Sequence, residues 1–112
     1  MERTVVFVAS DALGAGDEEL GRALLLSALK NLAKAGERPS HVLFMNAGVR
    51  LCCTGSAALD DLRALADEGV ELLNCGTCLD WFELKDALAV GRESNMVEIL
   101  GLMNAAPRIL RL

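Results

Sequence analysis

Apolar and polar positions follow two rhythms along this chain. Thr4 to Ala9, T-V-V-F-V-A, is apolar with no polar alternation, the pattern of a strand buried on both faces. A glycine-bearing turn follows, and Asp17 is placed to N-cap a helix whose first turn carries Glu18 and Glu19, matched to the positive end of the helix dipole. Leu20, Leu24 and Ala28, with Leu25, Leu29 and Leu32, form a wide apolar stripe at helical spacing, and Lys34 with Gly36 closes it. His41 to Asn46 predicts a second buried strand. Ser56 is then placed to cap a helix with Leu59, Leu62, Leu65 and Ala66 on one side and Gly69 at its end. Val70 to Asn74 predicts a third strand. Trp81, Leu84 and Leu88 mark a shorter helix stopping near Gly91, and Ser94 or Asn95 opens another with Met96, Ile99, Leu100 and Met103 on one face. Pro107 to Leu112 reads as the last strand.

Strands alternating with helices imply parallel pairing through right-handed crossovers, hence an α/β fold: a flavodoxin-like open parallel sheet with helices on both faces, formed as a single domain over residues 1–112. In a flavodoxin-like strand order, roughly 2-1-3-4, the chain reverses between the first and third strands, and ligands bind beyond the carboxyl ends there. Cys75 follows the third strand directly.

Composition narrows the function classes. At 112 residues, with 53% apolar side chains and a mean hydropathy of +0.34, the chain has enough material for a core without covalent staples, and the apolar surplus points to a homo-oligomer. The formal charge of −5 and the lack of any lysine or arginine block argue against nucleic acid, because nothing would drive counterion release from phosphates. The apolar run near the N-terminus is too short for a signal peptide or a membrane span, so a cytoplasmic location is expected. In that reducing compartment the four cysteines read as catalytic, redox-active or metal-binding rather than as a disulfide framework.

Cys75 and Cys78 form a Cys-x-x-Cys at a strand-to-helix turn, where orphan amide N–H groups stabilise a thiolate. Gly76 and Thr77 leave the first sulfur room, and Cys78 is near enough to close a disulfide or to receive a transferred sulfur. The plainer alternative is a pair of small buried hydrophobes. A zinc site built from Cys75, Cys78, Cys52 and Cys53 is a further alternative, disfavoured because adjacent cysteines bind one tetrahedral ion poorly; no metal and no cofactor are expected. Gly14 and Gly16, in S-D-A-L-G-A-G-D, would let backbone amides approach a ligand, but the surrounding acids and the missing lysine argue against a phosphate, and a tight turn is the commoner use of such glycines. His41, the only histidine, lies at the far end of a strand from Cys75, which removes the base that a Cys-His hydrolase needs. Sulfur is left as the redox centre or as the payload. Asn46 and Asn95 are candidate polar neighbours, and Arg50 and Lys85 candidate charges, by proximity in sequence.

The opening V-V-F-V-A-S-D-A-L-G-A-G-D-E-E-L-G, the loop N-A-G-V-R-L, the stretch N-C-G-T-C-L-D-W-F-E-L and S-N-M-V-E-I resemble the DsrE/DsrF-like superfamily, and within it the DsrE-like domain of YedF-type proteins, linked by name to sulfurtransferase-like selenium metabolism. The resemblance covers nearly the whole chain. It implies a domain that assembles into trimers or hexamers, and relatives that relay sulfur as a cysteine persulfide. The family's carrier position matches Cys75, and Cys78 matches the YedF-type pattern. Carrier activity would be of the sulfurtransferase type, with a TusA-like protein or a cysteine desulfurase as donor and a thiol as acceptor. YedF-type proteins commonly carry an N-terminal TusA-like domain, whereas this chain starts at the first strand, so the donor is expected on another polypeptide. Cys52-Cys53 lies outside the resemblance. A dithiol oxidoreductase, suggested by C-G-T-C, and a non-catalytic subunit of a relay assembly remain as rival readings.

Overall fold

The computed structural model describes residues 4–112. Five strands, β1 (Thr4–Val8), β2 (His41–Phe44), β3 (Glu71–Cys75), β4 (Arg92–Ser94) and β5 (Arg108–Arg111), form one sheet in the order β4-β3-β2-β1-β5, with every neighbouring pair parallel. Four α-helices connect them: α1 (Glu18–Asn31), α2 (Leu59–Asp67), α3 (Gly76–Trp81) and α4 (Met96–Ala105). A 3₁₀ segment, Asn46–Cys52, follows β2.

The apolar runs form the inner strands because parallel strands covered on both sides have no solvent face to mark with polar residues. On one side of the sheet Val6, Val8, Val42, Phe44 and Leu72 pack against Leu25 and Leu29 of α1, Leu62 and Leu65 of α2, and Leu79 of α3. On the other, Val5, Leu43, Leu73 and Cys75 pack against Ile99 of α4. Asp17 caps α1, its Oδ1 accepting from Leu20 N–H at 2.8 Å.

The expected strand order of roughly 2-1-3-4 is not the one observed. β2 lies between β1 and β3, and the reversal falls between β1 and β5. The first three crossovers step the chain steadily in one direction, and the connection through α4 then carries it back across the other face, which the right-handed rule requires of a connection running the opposite way. The crevice expected between the loops of the first and third strands is therefore built around the end of β2.

Three local expectations also change. The helix expected through Trp81, Leu84 and Leu88 stops at Trp81; Glu83 adopts φ 56°, and Leu84 and Leu88 flank a separate 3₁₀ turn over Lys85–Ala87. Ser56 does not cap α2 but closes the turn before it, its Oγ accepting from Ala58 N–H at 3.1 Å. Of the stripe assigned to α4, Ile99 is buried while Met96 and Leu100 are exposed.

Candidate functional site

The site begins with the alternation of β3. Glu71, Leu73 and Cys75 share the face toward α4, while Leu72 and Asn74 share the other, so the last strand residue turns its sulfur into the smaller core. Cys75 is 3% exposed, among Val5, Leu43, Leu73 and Ile99. It stands immediately before α3, yet its side chain makes no capping hydrogen bond to the helix amides. The expectation of Cys75 as a thiolate open to visiting molecules is thus corrected: its sulfur is sealed.

Cys78 occupies the accessible position. One turn into α3, it is half-buried and lines a cavity of about 410 Å³ with Ala9, Met45, Asn46, Thr77, Trp81 and Phe82. These residues come from the ends of β1 and β2 and from the stretch after β3, which places the cavity on the carboxyl edge of the sheet. Its lining is largely apolar, and Trp81 at its rim is 81% exposed.

The polar contact to the sulfur comes from the backbone. Asn46 N–H donates to Cys78 Sγ at 3.1 Å. Asn46 adopts φ 51°, a left-handed conformation that asparagine tolerates better than most side chains, so the chain can turn out of β2 and aim this amide at the thiol. The following turn is fixed by Gly48, whose N–H donates to Met45 O at 3.0 Å while its bare α-carbon lies against the Val8 carbonyl.

Burial pushes the Cys78 thiol above its ordinary value; contact with the Cys75 sulfur pushes the same way, and the Asn46 amide opposes both. The resting sulfur is therefore held largely as the thiol at neutral pH. The side-chain charges proposed from sequence are engaged elsewhere. Arg50 stands 3.6 Å from Asp11 and stacks 4.3 Å over the Phe82 ring, and Lys85 is shared between Asp80 and Glu93, each at 3.3 Å.

Of the other sequence candidates, Asn46 and Thr77 join Cys78 at the cavity, whereas Gly76 is buried at the start of α3 with its α-carbon facing the Glu93 side chain. Gly14 and Gly16, with φ of 76° and 142°, belong to a separate polar depression lined by parts of the loop after β1 and by Arg22 and Arg50. Asn95 caps α4, its Oδ1 accepting from Glu98 N–H at 2.9 Å. Met45, Trp81 and Phe82 were not singled out as cavity residues by the sequence; their signal was proximity to Asn46 and Cys78.

Cys52 and Cys53 lie apart from the cavity, both buried, with Cys53 Sγ donating to Val49 O at 3.3 Å. Among the described residues, no three His, Cys, Asp or Glu side chains converge to hold a metal ion. His41 Nε2 lies 3.1 Å from Glu71 Oε2. No described helix is long and apolar enough to cross a membrane.

This single α/β domain, with its all-parallel sheet in this order, shares its fold with several solved structures. It superimposes over its whole length on the whole chain of the ychN protein from E. coli, with a TM-score of 0.72 at 19% identity. The protein of unknown function MTH1491 from Methanobacterium thermoautotrophicum matches equally completely, with a TM-score of 0.73 at 22% identity. BT1422 from Bacteroides thetaiotaomicron, also of unknown function, matches over 98% of this chain and 95% of its own, with a TM-score of 0.63 at 13% identity. At these identities the likeness is one of fold. No family model matches the chain, and no curated protein does.

Proposed function

We propose that this protein carries a sulfane sulfur, or selenium in its place, as a persulfide-type adduct on Cys78, receiving it from a donor protein and passing it to an acceptor thiol. The observation that carries this reading is the half-buried Cys78 sulfur facing a cavity while accepting a hydrogen bond from a fixed backbone amide, Asn46 N–H at 3.1 Å. A preorganised N–H donor favours an anionic sulfur without having to reorient when charge develops there. The raised pKa of the unloaded thiol protects it from stray oxidation, since the thiolate is the oxidisable form. The YedF-type resemblance supports the same chemistry and places the carrier at Cys75, whereas accessibility favours Cys78. A TusA-like protein or a cysteine desulfurase is the proposed donor.

The test is to incubate the reduced protein with a cysteine desulfurase and cysteine and to follow the intact mass. The expected result is a gain of one sulfur in the native chain that persists in Cys75→Ala and disappears in Cys78→Ser. A gain that survives in Cys78→Ser and vanishes in Cys75→Ala would return the carrier role to Cys75; no gain in any of them would sink the carrier reading.

Self-association is part of the same proposal. The outer side of α4 presents Met96, Val97 and Leu100 to solvent, with Val97 84% exposed, and its one charged side chain, Glu98, is held by Arg92 at 2.7 Å. An apolar helix face of this kind is normally covered. Sedimentation should give a multiple of the chain mass, and a single-chain mass at tens of micromolar would count against it.

A dithiol oxidoreductase is the second reading, favoured by the neighbouring placement of Cys75 and Cys78 where β3 runs into α3. Reduction of insulin by the reduced protein would support it over the carrier.

A further inference from the structure

Cys75 has a placement that simple carriage does not use. Cys78 packs against the small core in which Cys75 lies, yet Cys75 itself is 3% exposed, so an incoming protein thiol or a small sulfur donor meets Cys78 first. Its backbone is held in the β3–β4 ladder opposite Ser94, and Cys78 lies one turn into the helix that starts at the next residue. The two cysteines are thus held beside each other by a strand and a helix, at the i, i+3 spacing that a disulfide can span. The burial order is also the reverse of that in a dithiol whose first cysteine is the exposed nucleophile: here the first is sealed and the second faces the cavity.

We infer that Cys75 discharges a sulfur carried on Cys78 as sulfide, closing a Cys75–Cys78 disulfide. The inference rests on Cys78 as the carrier. In the loaded state the inner sulfur of the adduct is Cys78 Sγ, on the side chain that packs against the core holding Cys75, while the terminal sulfur projects toward the cavity. Cys75 attacks Cys78 Sγ, its proton passing to the terminal sulfur as the bond between Cys78 Sγ and that sulfur breaks, and the terminal sulfur leaves with the bonding pair as hydrogen sulfide. The sulfane sulfur gains two electrons, and the two cysteine sulfurs end as the disulfide. The sum is one persulfide plus one thiol giving one disulfide plus hydrogen sulfide, with no outside oxidant. A dithiol reductant must reopen the disulfide before the next load.

The arrangement gives the carried sulfur two fates. An acceptor thiol reaching through the cavity attacks the terminal sulfur and takes it intact, whereas Cys75, behind, reaches the inner sulfur and releases it. A carrier that meets no acceptor would therefore empty itself instead of keeping a reactive adduct.

The experiment loads the native chain, Cys75→Ala and Cys75→Ser with a cysteine desulfurase and cysteine. The donor is then removed by gel filtration, and sulfide and intact mass are followed over time without reductant. The native chain should release sulfide and become two hydrogens lighter than the reduced protein, while both variants retain the added sulfur and release none. Two substitutions are used because a single change at this buried position can disturb packing, and retention of the sulfur by either shows an intact carrier. If the native chain holds its sulfur as long as the variants do, the inference is overturned and Cys78 as carrier stands. If no chain gains sulfur and the native one forms no disulfide, both readings fall.

Discussion

Gly48→Ala is expected to destabilise the protein by about 3 kcal/mol, lowering the thermal midpoint on the order of 10 °C, because the new methyl has no place to go. It would fall on the Val8 carbonyl oxygen, and that carbonyl is itself held by Met45 N–H at 3.0 Å, so neither side can yield cheaply. The substitution strikes between the ends of β1 and β2, where the chain must turn to present the Asn46 amide to Cys78. Sulfur loading of the folded fraction should therefore slow as well. Gly101→Ala is the matched control: nothing lies within 4 Å of a methyl there, and in the exposed interior of α4 alanine should stabilise by up to about 1 kcal/mol. A thermal scan of the two variants decides the matter, and a Gly48→Ala midpoint equal to the native one would refute the close approach.

Above pH 9 the protein should lose stability steeply, with Cys52 as the largest single source. Burial pushes this thiol from 9.0 up to about 12; the nearby Asn74 amide pulls it down somewhat, and Cys53 pushes it further up. Because the folded pKa is the higher, the folded chain binds this proton more tightly, and the stabilisation is fully present below about pH 9. As pH climbs from 9 toward 12 the unfolded chain ionises first, and the advantage is lost, on the order of 4 kcal/mol at 1.36 kcal/mol for each unit. Lys85, whose pKa is raised by Glu93 and Asp80, contributes in the same direction. The sequence contains no tyrosine to add a titration in that window. Urea unfolding at pH 8 and pH 11 should show a gap that narrows markedly in Cys52→Ala, and an unchanged gap would mean that Cys52 titrates like a free thiol.

Much of the architecture can be read from residue patterns because the inner strands are buried on both sides and need nearly unbroken apolar runs. V-V-F-V, V-L-F and E-L-L show this, as does the α1 stripe starting at Asp17. β4 was invisible for the opposite reason. R-E-S is short and polar, and it is a strand because Arg92, Glu93 and Ser94 pair with Leu73, Asn74 and Cys75 at the sheet's edge, a tertiary fact with no local signal. Strand order was equally hidden, since local patterning fixes where strands lie and says little about their neighbours.

The candidate site was legible in part. The Cys-x-x-Cys, Asn46 and Thr77 were singled out, and the structure brings Asn46, Thr77 and Cys78 together. Which sulfur faces outward could have been argued from alternation in E-L-L-N-C, since Cys75 shares its face with buried Leu73, but the turn into α3 hides that register from a linear scan. The donor to the sulfur is a main-chain group, which no residue type announces. Its trace in the sequence is an asparagine two positions before a glycine, suited to a left-handed bend before a close approach.

The sheet order joins the start of the described chain to its end. Thr4 pairs with Arg108, and the Arg108 guanidinium donates to the Thr4 hydroxyl at 2.8 Å across 104 positions. During translation β5 emerges from the ribosome after the other four strands, so β1, although an interior strand of the finished sheet, waits with one row of amides and carbonyls unpaired. For that interval the nascent chain offers an open β-edge to its neighbours on the same polysome, and crowded synthesis rather than the mature protein is where strand exchange between copies would begin.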